Sequence, residues 1–232
     1  MWPPLLVCHE VQCAENLGAI ARLLGNFGFS GCRLSKPQVR DWEGARRTAV
    51  DAVELLEAFV VLPSLEEALG DVAYAVGTSF RSVVARRRAL SPEEGIRHLW
   101  ERSAQGKVAL VLGGERRGLS DEELALCQAF ISIPTPGTKP SLNLSHAVAL
   151  CLFLCAQQTP PQPQGPVEPP APLGLLHRLR HSMRQALLQA EFLNPQGPEP
   201  ILQELWHSLA RAHLSQREAE LWLNAFKHMG RR

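Results

Sequence analysis

The chain has 232 residues, of which 45% are hydrophobic and 20% charged, with a formal net charge of +1. That balance excludes wholesale disorder and is enough to bury a core without disulfides or metals. By the usual size of domains, the length is one full domain with room for a small second module. Near-neutrality also means that any nucleic-acid site must be a local patch rather than a property of the whole surface.

The N-terminal run MWPPLLVCHEVQ lacks a basic start and is cut short by His9 and Glu10, so it does not read as a secretory signal. No apolar stretch has the ~18 residues that span a bilayer. The expectation is a soluble, cytoplasmic protein with no membrane partner. The six cysteines (8, 13, 32, 127, 151 and 155) form no C-x-x-C pair. They read as buried free thiols, and no metal is expected.

Leu5–Cys8 is a short apolar strand. The stretch after it places Leu17, Ile20, Leu24 and Phe27 at helical spacing and ends at Gly28, a residue suited to closing a helix. Phe59–Leu62 is strand-like, and Ser64 with Glu67 has the spacing of a capping box. Val72–Thr78 and Val108–Leu112 are further strands. Ser120 and Glu123 form a second box, Phe130–Ile133 reads as a strand, and Leu144–Cys155 as a helix apolar nearly all round. Strands alternating with helices predict a parallel sheet covered on both faces.

Residues 157–172 hold seven prolines and one charged residue, which predicts an extended linker. It divides a first domain, 1–156, from a helical extension, 173–232. The extension contains one amphipathic helix over Leu176–Ala190, a second over Pro200–Leu214, and a third capped by Ser215 and Glu218 and running to about Met229.

Three loops carry candidate chemistry. Asn16-Leu17-Gly18-Ala19-Ile20-Ala21-Arg22 stands at a strand-to-helix turn, where small residues allow close backbone approach. Gly113-Gly114-Glu115-Arg116-Arg117-Gly118-Leu119 directly follows a strand, the place where parallel sheets receive nucleotide-like ligands. It is neither G-x-G-x-x-G nor a P-loop, which disfavours a nicotinamide enzyme. Ile133-Pro134 leads through a Pro/Gly loop to Ser141-Leu142-Asn143 before the apolar helix. Ser141 is the residue expected by type to cap that helix.

In this order and spacing, N-x-G-A-x-x-R, G-x-E-x-x-G-L and I-P…S-L-N resemble the motifs of SPOUT-class RNA methyltransferases. They are most similar to the TrmH-like ribose 2'-O-methyltransferases, and Gly77-Thr78-Ser79, the following arginines and the helical tail look most like the TrmJ subgroup. That subgroup tends to carry Arg before the Glu of the second motif, whereas this chain has Gly114.

The resemblance implies an α/β SPOUT fold with a C-terminal trefoil knot, plus a small all-α C-terminal module. It implies S-adenosyl-L-methionine as cofactor, a homodimer, and 2'-O-methylation of a ribose in tRNA at anticodon-loop position 32. By motif matching, the catalytic positions are Asn16, Arg22, Glu115, Ser141 and Asn143, with Asn16 and Glu115 orienting Arg22. The cofactor positions are Thr78, Ser79, Phe80, Gly113, Ile133 and Leu142. Beside such a site the basic residues Arg81, Arg86, Arg87 and Arg88 are expected to grip RNA phosphates, and Arg178, Arg180 and Arg184 of the tail to touch the body of a tRNA, with a dimer-packing bundle as the alternative role of the tail. Ribosomal RNA as substrate and a catalytically silent RNA-binding relative stand as alternatives. All five matched polar positions are filled, which argues against the silent form.

Overall fold

The computed structural model describes residues 2–84, 87–139, 141–159, 169–210 and 212–230. Two compact units divide the chain, residues 1–164 and 165–232.

In the first unit the chain runs β1 (Leu5–His9), α1 (Ala14–Phe27), β2 (Cys32–Ser35), α2 (Glu43–Ala49), α3 (Val53–Glu57), β3 (Val60–Leu62), α4 (Leu65–Ala68) and β4 (Tyr74–Thr78). A hairpin of β5 (Val83–Val84) and β6 (Arg87–Arg88) follows, then α5 (Pro92–Ser103), β7 (Val108–Gly113), α6 (Asp121–Leu124), β8 (Ala129–Ile131) and α7 (Leu144–Ala156).

The six-stranded sheet has the order β3-β2-β1-β7-β4-β8, and all its pairings are parallel. The expected parallel α/β sheet is therefore present. The carboxyl ends of four neighbouring strands, β1, β7, β4 and β8, bring the loops after residues 9, 113, 78 and 131 to one edge.

Strand alternation explains why both faces are covered. Leu6 and Cys8 of β1, with Val108, Leu110 and Leu112 of β7, share one cluster with Leu17, Ile20 and Leu24 of α1, Ile96 and Leu99 of α5, and Val148, Cys151 and Leu152 of α7. Val7, Ala109 and Val111 point the other way and are equally buried. Each fully buried leucine or isoleucine in that cluster is worth ~1.5–3 kcal/mol of transfer free energy.

α1 follows its apolar spacing and stops where Gly28 adopts a left-handed φ of 72°. At Gly18 a Cβ would run into the carbonyl oxygen of Ala45, so this glycine lets α1 lie close against α2.

Several elements escape the sequence reading. β2 is four residues long with an arginine in it, and α2 and α3 are seven and five residues. α5 did carry a readable signal: Ser91 and Glu94 form a full capping box with Pro92 at the first turn. The expected box at Ser64 is only half made, since Ser64 accepts from the Glu67 amide without the reciprocal bond. Of the thiols, Cys13 departs from expectation, being half-exposed and donating its Sγ–H to Glu15 at 3.1 Å; the other five are buried.

The second unit is all-helical: α8 (Leu173–Gln189), α9 (Glu199–Ala210) and α10 (Gln216–Met229). Leu175, Leu179 and Met183 of α8 share a core with Leu202 of α9 and with Leu223 and Phe226 of α10. Ser215 caps α10 through a complete box with Glu218. Most of the proline-rich linker, 160–168, lies outside the described residues. Among the described residues, no helix is long and apolar enough to cross a membrane.

Candidate active site

A cavity of about 330 Å³ opens at the carboxyl edge of the sheet. Its volume is in the range of small-ligand sites. All six expected cofactor positions line it: Thr78, Ser79 and Phe80 after β4, Gly113 at the end of β7, and Ile133 and Leu142 on either side of the long loop after β8. Glu115 and Ser141 line it too. Phe80 is half-exposed and Leu142 38% exposed, so the cavity presents apolar side chains beside the glycine backbone at 113 and 114. That combination suits a flat heteroaromatic ring attached to a sugar.

The loop carrying Glu115 is pinned from several sides. Asn16, buried in the first turn of α1, donates its Nδ2 to Glu115 Oε1 at 2.6 Å. The backbone amides of Gln12 and Cys13 donate to the same carboxylate at 2.9 and 3.3 Å. Residues 99 to 103 positions apart thus meet because β1 and β7 are adjacent and parallel.

Within the chain Arg22 stands apart from this pair. Six residues along a helix is about 240° of rotation, so Arg22 emerges on another face of α1. It is exposed there and makes no hydrogen bond or ion pair among the described residues. Ser141 does not cap α7. Asn143 does, its Oδ1 accepting from the Ser145 amide at 2.9 Å, the Ser145 hydroxyl at 2.7 Å and the His146 amide at 3.4 Å. Asn143 is not among the residues lining the cavity, while Ser141, released from capping, is.

Beneath the Glu115 loop lies a network that no spacing in the sequence announces. Arg117 donates to Glu10 at 2.9 Å and to both oxygens of Glu123 at 2.7 and 3.0 Å. Glu123 also takes Nε2 of the buried His9 at 2.9 Å, and His9 Nδ1 meets Ser35 Oγ at 2.5 Å. Burial alone would raise the Glu123 pKa, but the bonds from Arg117 and the Ser120 amide outweigh it and hold the carboxyl below its ordinary value. Hydrogen bonding to Glu123 in turn drives the Arg117 pKa further up. His9, Glu10 and Glu123 place ligand atoms within 4.8 Å of one another, yet Arg117 already occupies both carboxylates.

Gly114 explains its own departure from the subgroup pattern. A Cβ there would run into the carbonyl oxygen of Glu10, whose backbone is itself left-handed with φ 52°. An arginine at 114 does not fit this loop, and the guanidinium that pairs with Glu10 is that of Arg117.

The expected RNA-gripping arginines are not equivalent. Arg81 pairs with Asp121 at 2.6 Å. Arg87 corrects the expectation: its Nη1 and Nη2 each donate, at 3.0 Å, to the carbonyls of Leu124 and Cys127, and its guanidinium lies over the Phe130 ring. Those partners turn it inward as a structural group, and burial lowers its pKa. Arg88 is exposed, and Arg86 lies outside the described residues. In the tail, Arg180 and Arg184 both pair with Glu199, while Arg178 is exposed.

A parallel α/β sheet whose carboxyl-edge loops wall one cavity, with an anchored carboxylate in that wall, is the arrangement in which such proteins hold a nucleotide-like ligand. Comparison with known proteins narrows the class. Residues 3–153 match the SpoU rRNA Methylase family. The TrmJ tRNA (cytidine/uridine-2'-O-)-methyltransferase of Klebsiella pneumoniae is 30% identical over 224 residues, covering 93% of this chain and 91% of that one. The crystal structure of TrmJ from Z. mobilis superposes with a TM-score of 0.83 at 26% identity, covering 98% of this chain and 99% of that one. The SpoU methyltransferase AviRb from Streptomyces viridochromogenes, solved in complex with AdoMet, shares the fold at 21% identity and a TM-score of 0.50, with 66% of this chain and 58% of that one covered. The chain belongs to the SpoU methylase family and is a methyltransferase, as its three motifs implied.

Proposed function

We propose that the protein transfers a methyl group from S-adenosylmethionine to a ribose 2'-hydroxyl in tRNA, at position 32 of the anticodon loop, in the cytoplasm. The observation that carries this reading is the single cavity that gathers all six cofactor positions beside the anchored Glu115. The 93% span shared with a tRNA 2'-O-methyltransferase supports tRNA over ribosomal RNA.

S-adenosylmethionine, when bound, supplies an electrophilic methyl on a positively charged sulfur. Ile133, Leu142 and Phe80 would hold its adenine, and backbone groups near Gly113 its ribose edge. Transfer requires the 2'-oxygen in line with that methyl and the loss of the hydroxyl proton. Glu115, held by three donors, fixes the position of its own loop at the cavity mouth. Ser141 is placed to bridge cofactor and substrate. Arg22 is a poor literal base because a guanidinium stays protonated. Its role is to fix the substrate phosphate and hydroxyl.

Arg22 does not line its own chain's cavity, so in this reading it serves the site of a second copy in a homodimer. Support comes from α7, which is apolar nearly all round yet leaves Leu150 and Phe153 about half-exposed. The trefoil knot belongs to the same proposal, supported by the return of α7 from the sheet edge at β8 to pack on α1 and α5.

The test is complementation. Arg22→Ala and Glu115→Gln each abolish methyl transfer while Arg22→Ala keeps cofactor affinity. A random mixture of the two variants regains up to about a quarter of wild-type sites if the groups come from opposite subunits of a two-fold dimer. Loss of cofactor affinity in Arg22→Ala, or a dead mixture of stable dimers, contradicts the assignment.

A further inference from the structure

A second, polar recess of about 290 Å³ lies on the other side of the Glu115 loop. Glu10, Gln12 and Gln38 form its far wall, and Arg116 and Arg117 line both it and the cofactor-sized cavity. One loop therefore separates two spaces of different chemistry.

The charges around the recess are settled with one exception. Glu115 is taken up by two backbone amides and Asn16, and Arg117 is neutralised by Glu10 and Glu123. Arg116 is exposed and has no hydrogen bond or ion pair among the described residues. Facing it are two side-chain amides on the loops after β1 and β2. Gln38 donates its Nε2 to the Lys36 carbonyl at 3.0 Å, which orients the amide and leaves Oε1 as an acceptor. The Gln12 amide is exposed and keeps both its donor and its acceptor.

We infer that this recess receives a nucleotide of the RNA substrate, with Arg116 on its phosphate and Gln12 and Gln38 on its hydrogen-bonding edges. The inference rests on the methyltransferase reading and adds the substrate's own subsite to it. An uncompensated guanidinium beside two amides matches a phosphodiester-linked, hydrogen-bonding group. The other source of an anionic oxygen is the carboxylate of the cofactor's methionine tail. The recess favours RNA because its lining is more polar than that of the first cavity and it lies beyond the loop that walls that cavity.

The experiment uses the full-length protein and three variants, Arg116→Gln, Arg116→Lys and Gln12→Ala, each checked for an unchanged thermal transition. Affinity for an unmodified tRNA transcript is measured by filter binding across a KCl series, and affinity for S-adenosylmethionine by calorimetry. Arg116→Gln is expected to weaken tRNA binding by roughly tenfold and to flatten the salt dependence by about 0.7–0.9 in log–log slope, the signature of one lost phosphate contact. Arg116→Lys restores the slope because it restores the charge. Gln12→Ala weakens binding without changing the slope. Cofactor affinity is unchanged in all three.

An unchanged slope in Arg116→Gln overturns the inference, and so does a fall in cofactor affinity, which would give Arg116 to the methionine carboxylate. A wild-type protein that binds tRNA yet transfers no methyl defeats the catalytic reading alone, since the slope still reports on Arg116. A wild type with no affinity for tRNA defeats both.

Discussion

Asn16 and Glu115, 99 residues apart, share a hydrogen bond of 2.6 Å across the junction of β1 and β7. Asn16 is buried, and among the described residues its amide is the one side-chain donor to a carboxylate otherwise held by backbone amides. The bond therefore locks the second motif to the first. Its loss removes a charge-assisted interaction of ~1.5–3 kcal/mol. Asn16→Ala is expected to lower kcat by roughly 10–100-fold. Asn16 does not line the cavity, so the Kd for S-adenosylmethionine stays at its wild-type value. Calorimetry beside steady-state kinetics checks both halves.

Gly114 sits where a side chain has no room, against the carbonyl of Glu10. Gly114→Ala should cost about 1–3 kcal/mol, the usual penalty of overpacking. Displacing the loop also disturbs Gly113 and Glu115, so cofactor affinity should fall with stability. Gly114→Arg, which restores the subgroup's residue, should be worse than alanine rather than better. Thermal unfolding with and without cofactor distinguishes these results from a freely accommodated substitution.

The thiols make a pH-dependent prediction. Burial pushes Cys127 and Cys151 up to about 12 from the ordinary value of 9.0. A group whose pKa is raised by folding contributes stability below its unfolded pKa and loses it as pH rises toward the folded one. Stability should therefore decline above about pH 9 as the unfolded thiols ionise and the folded ones do not. At pH 8 a disulfide reagent should modify half-exposed Cys13 before the five buried thiols, although partial burial and the bond to Glu15 raise its pKa as well. Rapid reaction of all six in the folded protein would contradict this packing.

Much of this was legible in advance, and the exceptions have physical reasons. The α1 stripe, the Gly28 stop, the Ser120–Glu123 box and the three motif loops depend on neighbours within a few residues, and the structure has them. β2 and the short helices α2 and α3 are held by tertiary packing more than by local pattern, so no periodicity marks them. The choice between Ser141 and Asn143 as helix cap turned on two residues of register, which boundary reading does not resolve. The inward turn of Arg87 depends on carbonyls 37 and 40 residues away, and the Glu10–Arg117 pair spans 107. Charge runs give composition but not direction, so the basic segment divided into paired, inward-turned and exposed arginines only once the fold was known.

The central claim is transfer of a methyl group to one ribose of a tRNA. The most direct measurement is incubation of the protein with S-[methyl-³H]adenosylmethionine and unmodified tRNA transcripts, followed by nuclease mapping of the labelled nucleotide. The account predicts label on the 2'-oxygen of position 32, lost in Arg22→Ala. Label on a base, or on ribosomal RNA with none on any tRNA, would contradict it.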